Sequence, residues 1–127
     1  MIRSFAAALF LLVGMAASAE AAPDCAAAAD QGQMNACAGD AYQAADRALN
    51  AQYAKTRKAV LAFDAEGDKV LIAAQRAWVV FRDAHCAAVS FAFKGGSMEP
   101  TIRSSCMAET TEARTAQLKK MLDDYLH

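Results

Sequence analysis

Apolar and polar positions recur with a helical period in three long segments of this 127-residue chain. The first segment runs from about Met34 to Phe63 and contains no proline and a single glycine. The second runs from about Lys69 to Phe93, and the third from near Pro100 to about Tyr125. Steps of three and four residues are typical of amphipathic helices, and no segment shows the two-residue alternation of a strand. The pattern therefore predicts an all-α protein.

Each predicted helix has one stripe of residues that we expect to face the core. On the first helix the stripe is Tyr42, Ala45, Leu49, Tyr53, Thr56, Val60 and Phe63. On the second it is Leu71, Ala74, Trp78, Phe81, His85, Ala88 and Ala92. On the third it is Met107, Thr110, Arg114, Leu118, Met121 and Tyr125. Short connections favour antiparallel neighbours, so these helices predict a small three-helix, up-down-up bundle with an N-terminal lead-in.

Two polar segments separate the helices. The first is Asp64-Ala65-Glu66-Gly67-Asp68, in which Asp68 is the candidate N-cap of the second helix. The second is Lys94-Gly95-Gly96-Ser97, whose glycines are typical of a helix end. Both segments are predicted to be surface turns.

Several charged and polar residues fall on the inner stripes rather than outside them. Asp46 shares a stripe with Leu49, with Asn50 beside it, while Gln75 and Arg82 share a stripe with Trp78. An unpaired buried charge is costly, so we expect a salt bridge between Asp46 and either Arg82 or Arg114 that fixes the register of the helices. The alternative interpretation of the same residues is a binding site.

The N-terminus has the features of a signal peptide. Arg3 gives a positive start, an apolar run follows from Phe5 to Met15, and small residues fit cleavage after Ala19 or Ala21. A membrane span needs about 20 apolar residues, so an N-terminal anchor is the less favoured alternative. We expect residues 1–21 to be removed and residues 22–127 to form one periplasmic or secreted, soluble domain.

All four cysteines, Cys25, Cys37, Cys86 and Cys106, lie in the predicted mature part. An even number in a short exported chain is typical of two disulfides. Four cysteines allow three pairings; we favour Cys25–Cys37 with Cys86–Cys106, and Cys37–Cys86 is the second choice. The spacings differ from those of zinc sites, so neither a metal nor another cofactor is expected.

Charge and motifs exclude several functions. Thirteen basic residues against fourteen acidic ones give a net charge of −1, which is unlike a non-specific nucleic-acid binder. The sequence has no nucleophile elbow, zinc-protease motif or phosphate loop, so an enzyme is not expected. A small-ligand carrier would need a pocket, for which alanine-rich packing leaves little room. The oligomeric state is left open.

A set of motif residues occurs in a fixed order along the chain. It comprises Met34-Asn35-Ala36-Cys37, then Asp46, Leu49, Asn50 and Tyr53, then Gln75, Trp78, Phe81, Arg82, Asp83 and Cys86, then Gly95-Gly96-Ser97, and finally Cys106, Thr110, Arg114 and Leu118. This set resembles the LprI-type lysozyme-inhibitor-like domain over residues 25–120. Phe81 stands where that family more often has tyrosine, and the lipobox of its lipoprotein members is absent.

The resemblance implies a helical, disulfide-bonded exported domain that binds lysozyme as a partner. An inhibitor of that enzyme needs a protruding element for the cleft and a complementary surface around it. We expect Lys94 or Ser97 to face the catalytic carboxylates of lysozyme. Asp64, Glu66 and Asp68 are the candidate contacts for its basic rim. The alternative function is a periplasmic structural or interaction protein of the cell envelope without lysozyme activity.

Overall fold

A computed structural model describes residues 23–127, which form three long helices. Helix α1 spans Gln31–Phe63, α2 spans Ala65–Ser90 and α3 spans Glu99–Leu126. Short 3-10 turns occupy Cys25–Ala27 and Phe91–Phe93. The all-α prediction and the number of helices are confirmed for this part of the chain. The predicted signal peptide, residues 1–21, lies outside the described residues.

Aspartates begin the first two helices. The Asp30 carboxylate accepts the backbone N–H of Gln33 at 2.8 Å, so α1 begins three residues before the predicted start. Asp64 has an extended backbone and accepts the N–H of Glu66 at 2.7 Å, which makes Asp64 the N-cap of α2. The prediction of Asp68 as that cap was wrong, because Asp68 already lies in the first turn of α2 and faces inward.

The predicted up-down-up arrangement is confirmed at both ends of the bundle. The Gln31 side-chain amide donates to the Thr101 hydroxyl at 2.9 Å, so α1 and α3 start side by side. At the other end, the rings of Phe63 and Tyr125 meet edge to face with centroids 5.5 Å apart. Helices α1 and α3 are therefore parallel, and α2 runs antiparallel to both.

The core consists of two clusters along the α1–α3 pair. The larger contains Leu49, Val60, Leu71 and Leu118, with Tyr53, Trp78 and Met121 packed against it. The smaller contains Cys86, Cys106 and Met107, with Tyr42 packed against it. Between the helices, the buried Thr56 hydroxyl lies 3.0 Å from the carbonyl of Leu118. Alanines leave α1 and α3 room to approach closely.

The predicted inner face of α2 was largely wrong. Only Leu71 and Trp78 of the predicted stripe pack inward, whereas the others are exposed: Ala74, Phe81, His85, Ala88 and Ala92. The buried residues of α2 are instead Asp68, Leu71, Gln75, Arg82, Cys86 and Ser90. Polar groups occupy this face because α1 and α3 supply partners for them, and those partners lie far away in the sequence. Phe63 was also predicted inside and is exposed.

Two disulfides tie the helices together with the favoured pairing. Cys25–Cys37 joins the N-terminal 3-10 turn to α1, with the two Cα atoms 5.7 Å apart. Cys86–Cys106 joins α2 to α3, with the two Cα atoms 5.6 Å apart. They close loops with sequence separations of 12 and 20, and each is worth about 3 kcal/mol in the chain-entropy account. Over residues 23–127, no helix is both long enough and apolar enough to cross a bilayer.

Candidate functional site

The α2–α3 loop, residues 94–98, is shaped by two glycines. Gly95 has a φ of +77°, a conformation that side chains other than glycine rarely adopt, and its N–H donates to the Glu99 carboxylate at 2.7 Å. Gly96 donates its N–H to the Phe93 carbonyl at 2.9 Å, and a Cβ on Gly96 would lie 3.1 Å from that oxygen. The two glycines thus allow a tight reversal directly after the Phe91–Phe93 turn.

The loop is held against the start of α1. The Asn35 side-chain amide donates to the Ser97 carbonyl at 3.2 Å, and Gln31, Asn35 and Thr101 form a small hydrogen-bonded cluster. The Cys25–Cys37 disulfide joins α1 at this same end, through Cys37, which comes two residues after Asn35. These contacts hold the loop backbone in one conformation, so its exposed side chains need less ordering when a partner binds.

Lys94 and Ser97, the predicted cleft contacts, are both solvent-exposed on this loop. The Lys94 ammonium lies 5.5 Å from the ring centroid of Phe91, which orients the lysine side chain. A shallow depression of about 370 Å³ lies beside them, lined by Ala92, Phe93, Lys94, Gly96, Ser97 and Met98. The arrangement offers one cation and a small polar rim to a partner.

The predicted rim contacts lie at the other end of the bundle. The Glu66 carboxylate is exposed and 2.6 Å from the Lys69 ammonium. Asp68 is buried and accepts two hydrogen bonds from Arg57, at 2.7 and 2.6 Å, and this hydrogen bonding lowers the pKa of Asp68. The 26 residues of α2 separate this turn from the α2–α3 loop by about 39 Å. The structure does not bring the two sets of predicted contacts together.

Most of the motif residues build the interface between the helices. Arg82 is 7 % exposed; its guanidinium bonds Asp83 at 2.9 Å, approaches Asp46 at 3.5 Å and lies over the rings of Tyr42 and Trp78. The expected Asp46–Arg82 pair is therefore present, and burial raises the pKa of Tyr42 beside it. These contacts give Arg82 the role of connecting α2 to α1.

A second polar contact links α2 to α3. Arg114 donates from Nε to the side-chain oxygen Oε1 of Gln75 at 3.0 Å, rather than pairing with Asp46, and burial lowers the pKa of Arg114. Leu49 is in the core and Tyr53 packs against it, whereas Asn50 is exposed and donates to Asp46 at 3.2 Å. Most of the motif residues therefore hold the helices of the bundle together.

Phe81 departs from this role. Its side chain is 56 % exposed and stacks on His85, with ring centroids 5.4 Å apart. Phe81 was predicted to be in the core because it is aromatic and lies three residues after Trp78, but that step takes it out of the buried face of α2. The Arg57–Asp68 ion pair was also missed, because it joins two helices and leaves no local pattern.

The described residues hold no metal-binding group. Between residues 23 and 127, no three His, Cys, Asp or Glu side chains are grouped so that they could hold a metal ion. All four cysteines are in disulfides, so this part of the chain has no free thiol.

Comparison with known proteins gives two matches. The family model described as "Lysozyme inhibitor LprI" matches residues 24–118. An uncharacterized protein of Rhizobium meliloti (strain 1021) is 42% identical over 135 residues, covering 96% of this chain and 97% of its own length. No solved structure matches the chain. The family match covers both disulfides, the Arg82 contacts and the α2–α3 loop.

Proposed function

Because the chain belongs to the LprI lysozyme-inhibitor family, we propose that it is an exported, non-catalytic protein that inhibits a lysozyme through its α2–α3 loop. The observation that carries the proposal is the family match together with the loop itself, which projects Lys94 and Ser97 from a backbone held by α1. The relative in Rhizobium meliloti has no stated activity and adds nothing to this choice.

Charge complementarity explains how the loop would act. A retaining lysozyme has two catalytic carboxyl groups about 5 Å apart in a cleft. The Lys94 ammonium is an exposed cation on this loop, able to lie between two such carboxylates, and the Ser97 hydroxyl can donate a further hydrogen bond. Asp64 and Glu66 lie about 39 Å away along α2, so we assign the cleft contact to the α2–α3 loop alone.

Export is the second part of the proposal. Two disulfides and the family indicate an extracytoplasmic protein, because reducing compartments rarely keep such bonds. We assign residues 1–21 as a signal peptide that is cleaved after Ala19 or Ala21. Mass spectrometry of the protein recovered from the periplasm or medium checks this. The recovered chain should begin at Glu20 or at Ala22, and any other N-terminus contradicts the assignment.

The inhibition test follows cell-wall lysis by a basic lysozyme as loss of turbidity, with and without the oxidised protein. We expect saturable inhibition that disappears when the protein is reduced and alkylated. The Lys94→Ala/Ser97→Ala variant should weaken inhibition at least tenfold, which corresponds to about 1.4 kcal/mol. Lys119→Ala is the matched control, because it removes an exposed lysine from α3 without touching the loop.

The outcomes separate the two functions. Inhibition that is unchanged in the loop variant, with its circular dichroism intact, rules out the loop as the contact. Failure to inhibit several lysozyme types rules out the function, and the alternative of a structural or interaction protein of the cell envelope then takes its place. A pull-down from envelope extract would be the next experiment in that case.

A further inference from the structure

Helix α2 buries polar residues and exposes apolar ones to an extent that is unusual for a surface helix. Its buried face carries Leu71 and Cys86 but also four polar residues, Asp68, Gln75, Arg82 and Ser90. The opposite face is exposed and almost entirely apolar, and its residues are Val70, Ala73, Ala74, Ala77, Val80, Phe81, Ala84, Ala88 and Phe91. We call this set the α2 outer face. A helix normally exposes its polar side, so the outer face is a surface without its partner.

The outer face is substantial in extent. Val70 is 69 % exposed, Val80 70 % and Phe91 67 %. From Val70 to Phe91 the face is about 32 Å long, and at the width of a helix it covers on the order of 300 Å² before its charged edges are counted. That area is typical of the larger apolar patches on protein surfaces, and the roughly 600 Å² that two copies would bury is less than the interface of a stable dimer, so the pairing it supports is weak and reversible.

The spacing on this face is that of a helix-pairing seam. Val70, Ala77, Ala84 and Phe91 follow one another every seven residues, and Ala73 and Val80 each come three residues after one of the first two, whereas Ala87, three residues after Ala84, is half-buried. Apolar residues at these two heptad positions pack helix against helix, and small side chains at the centre allow a close approach. An extended partner or a flat lipid surface does not require such a repeat.

Charge complementarity points to a second copy of the same chain. Arg76 and Asp83 lie along one edge of the outer face, seven residues apart and opposite in charge. When two α2 helices pair antiparallel, Ala77 of each copy lies opposite Val80 of the other. The same register places Arg76 opposite Asp83 of the second copy, twice across the two-fold axis.

The individual side chains fit this register. Asp83 is bonded to Arg82 through Oδ1, so its second oxygen remains for the incoming guanidinium. The Arg76 side chain is exposed and open to a partner. Phe81, the largest residue at the centre of the face, would lie over Ala74 of the second copy, so a large side chain meets a small one.

We infer that the protein forms a reversible homodimer by antiparallel packing of the α2 outer faces about a two-fold axis between Ala77 and Val80. This inference does not depend on lysozyme binding. For a weak, reversible dimer we expect a dissociation constant on the order of 10 μM.

The test is sedimentation equilibrium of the oxidised, exported protein over a concentration series, without lysozyme. We expect the dimer fraction to rise with concentration. Val80→Asp, at the centre of the outer face, should weaken dimerisation at least tenfold, whereas Leu61→Asp, an exposed apolar residue on α1, should leave it unchanged. Circular dichroism of both variants checks that the fold is kept.

A charge-exchange experiment tests the antiparallel register. Arg76→Asp places two acids opposite each other, and Asp83→Lys places two cations opposite each other, so each variant alone should dimerise poorly. An equimolar mixture should form a heterodimer, because each altered residue then meets its opposite charge.

Several results would overturn the inference. A protein that stays monomeric up to about 300 μM, thirty times the expected constant, does not pair through this face. A dimer that survives Val80→Asp, or that Leu61→Asp disrupts equally, uses another surface. A mixture that fails to associate excludes the antiparallel register. A monomer that sediments with anionic lipid vesicles only when Val80 is intact would assign the face to a membrane surface instead.

Discussion

Arg82→Ala tests the view that one buried arginine holds α2 to the α1–α3 pair. The Arg82 guanidinium lies 5.1 Å from the Trp78 ring centroid and 5.4 Å from that of Tyr42. It also bonds Asp83 at 2.9 Å and approaches Asp46 at 3.5 Å, and both carboxylates are partly exposed. Alanine removes all four contacts and leaves a space between α1 and α2.

The four contacts of Arg82 contribute different amounts to the free energy of unfolding. A cation–π contact of a desolvated arginine is worth roughly 1–2 kcal/mol, and a half-exposed ion pair roughly 0.2–1 kcal/mol. The contacts are not additive, so we expect Arg82→Ala to lower the free energy of unfolding by about 3 kcal/mol. For a domain of about 100 residues this corresponds to a loss of about 12–24 °C in Tm. The aromatic contacts should account for most of it.

Urea unfolding followed by far-UV circular dichroism measures the loss. With an m value of about 1–3 kcal/mol/M, the midpoint should fall by about 1–3 M. A double-mutant cycle with Asp46→Asn should give a coupling energy of about 0.5 kcal/mol, because the two groups are 3.5 Å apart and Asp46 is partly exposed. Arg82→Lys, which keeps the charge without the planar group, should lie between wild type and alanine. A total loss under about 1 kcal/mol, or a coupling with Asp46 that equals the whole loss, would refute this account.

Two further predictions concern buried polar groups. The Thr111 hydroxyl is buried without a hydrogen-bond partner, so Thr111→Val should raise the free energy of unfolding by about 1 kcal/mol. The matched control Thr56→Val should lower it by a similar amount, because it removes the bond to the Leu118 carbonyl; equal effects of both variants in urea unfolding would contradict the assignment. The Arg57 hydrogen bonds lower the pKa of Asp68 in the folded state, so their contribution is complete above the unfolded value of about 3.9 and is lost as pH falls below it. Urea unfolding between pH 7 and pH 2.5 should show a steeper acid loss for wild type than for Asp68→Asn, and parallel curves would contradict this.

The sequence predicted α1 and the disulfides well because their signals are local. Apolar residues on α1 meet the α3 core directly, so the periodic stripe through Leu49, Thr56 and Val60 coincides with the buried face. The favoured disulfides join cysteines that are close in the chain or at the same end of the bundle. For the α1 face and for both disulfides, a simple rule on spacing along the chain therefore identifies the residues that are in contact in the structure.

The inner face of α2 could not be predicted by the same rule. Hydrophobic periodicity locates the buried side only when the apolar side is the buried one. On α2 the buried polar residues are satisfied from other helices: Arg57 for Asp68, Asp46 for Arg82 and Arg114 for Gln75. The N-cap of α2 was predicted wrongly for a related reason. Asp64 and Asp68 are both suitable caps by residue type, but Asp68 forms a buried ion pair with Arg57 instead.

The residues of the family motif therefore determine the packing of the helices more than the contact with a partner. Leu49, Gln75 and Arg82 are buried at helix interfaces, where a change would alter the packing. Lys94 and Ser97 lie on the exposed surface, where a change can alter a partner contact without unfolding the chain. Gly95 belongs to both groups, because its positive φ shapes the backbone that presents the contact residues. Lys94 and Ser97 as partner contacts stay a prediction from the sequence, and the structure shows that both are exposed.

The two proposed surfaces are compatible with each other. In the antiparallel pair, the last residues of the two α2 helices, Ser90 of each copy, lie about 35 Å apart along the helix axis. Each α2–α3 loop then stands at its own end of the dimer, and Lys94 lies at the outer edge of the paired faces, against Phe91. It follows that the Val80→Asp monomer is expected to keep its inhibition and that the Lys94→Ala/Ser97→Ala variant is expected to keep its dimer. If instead Val80→Asp abolished inhibition while the protein stayed folded and monomeric, the α2 outer face would be the lysozyme contact, and both surface assignments would have to be exchanged.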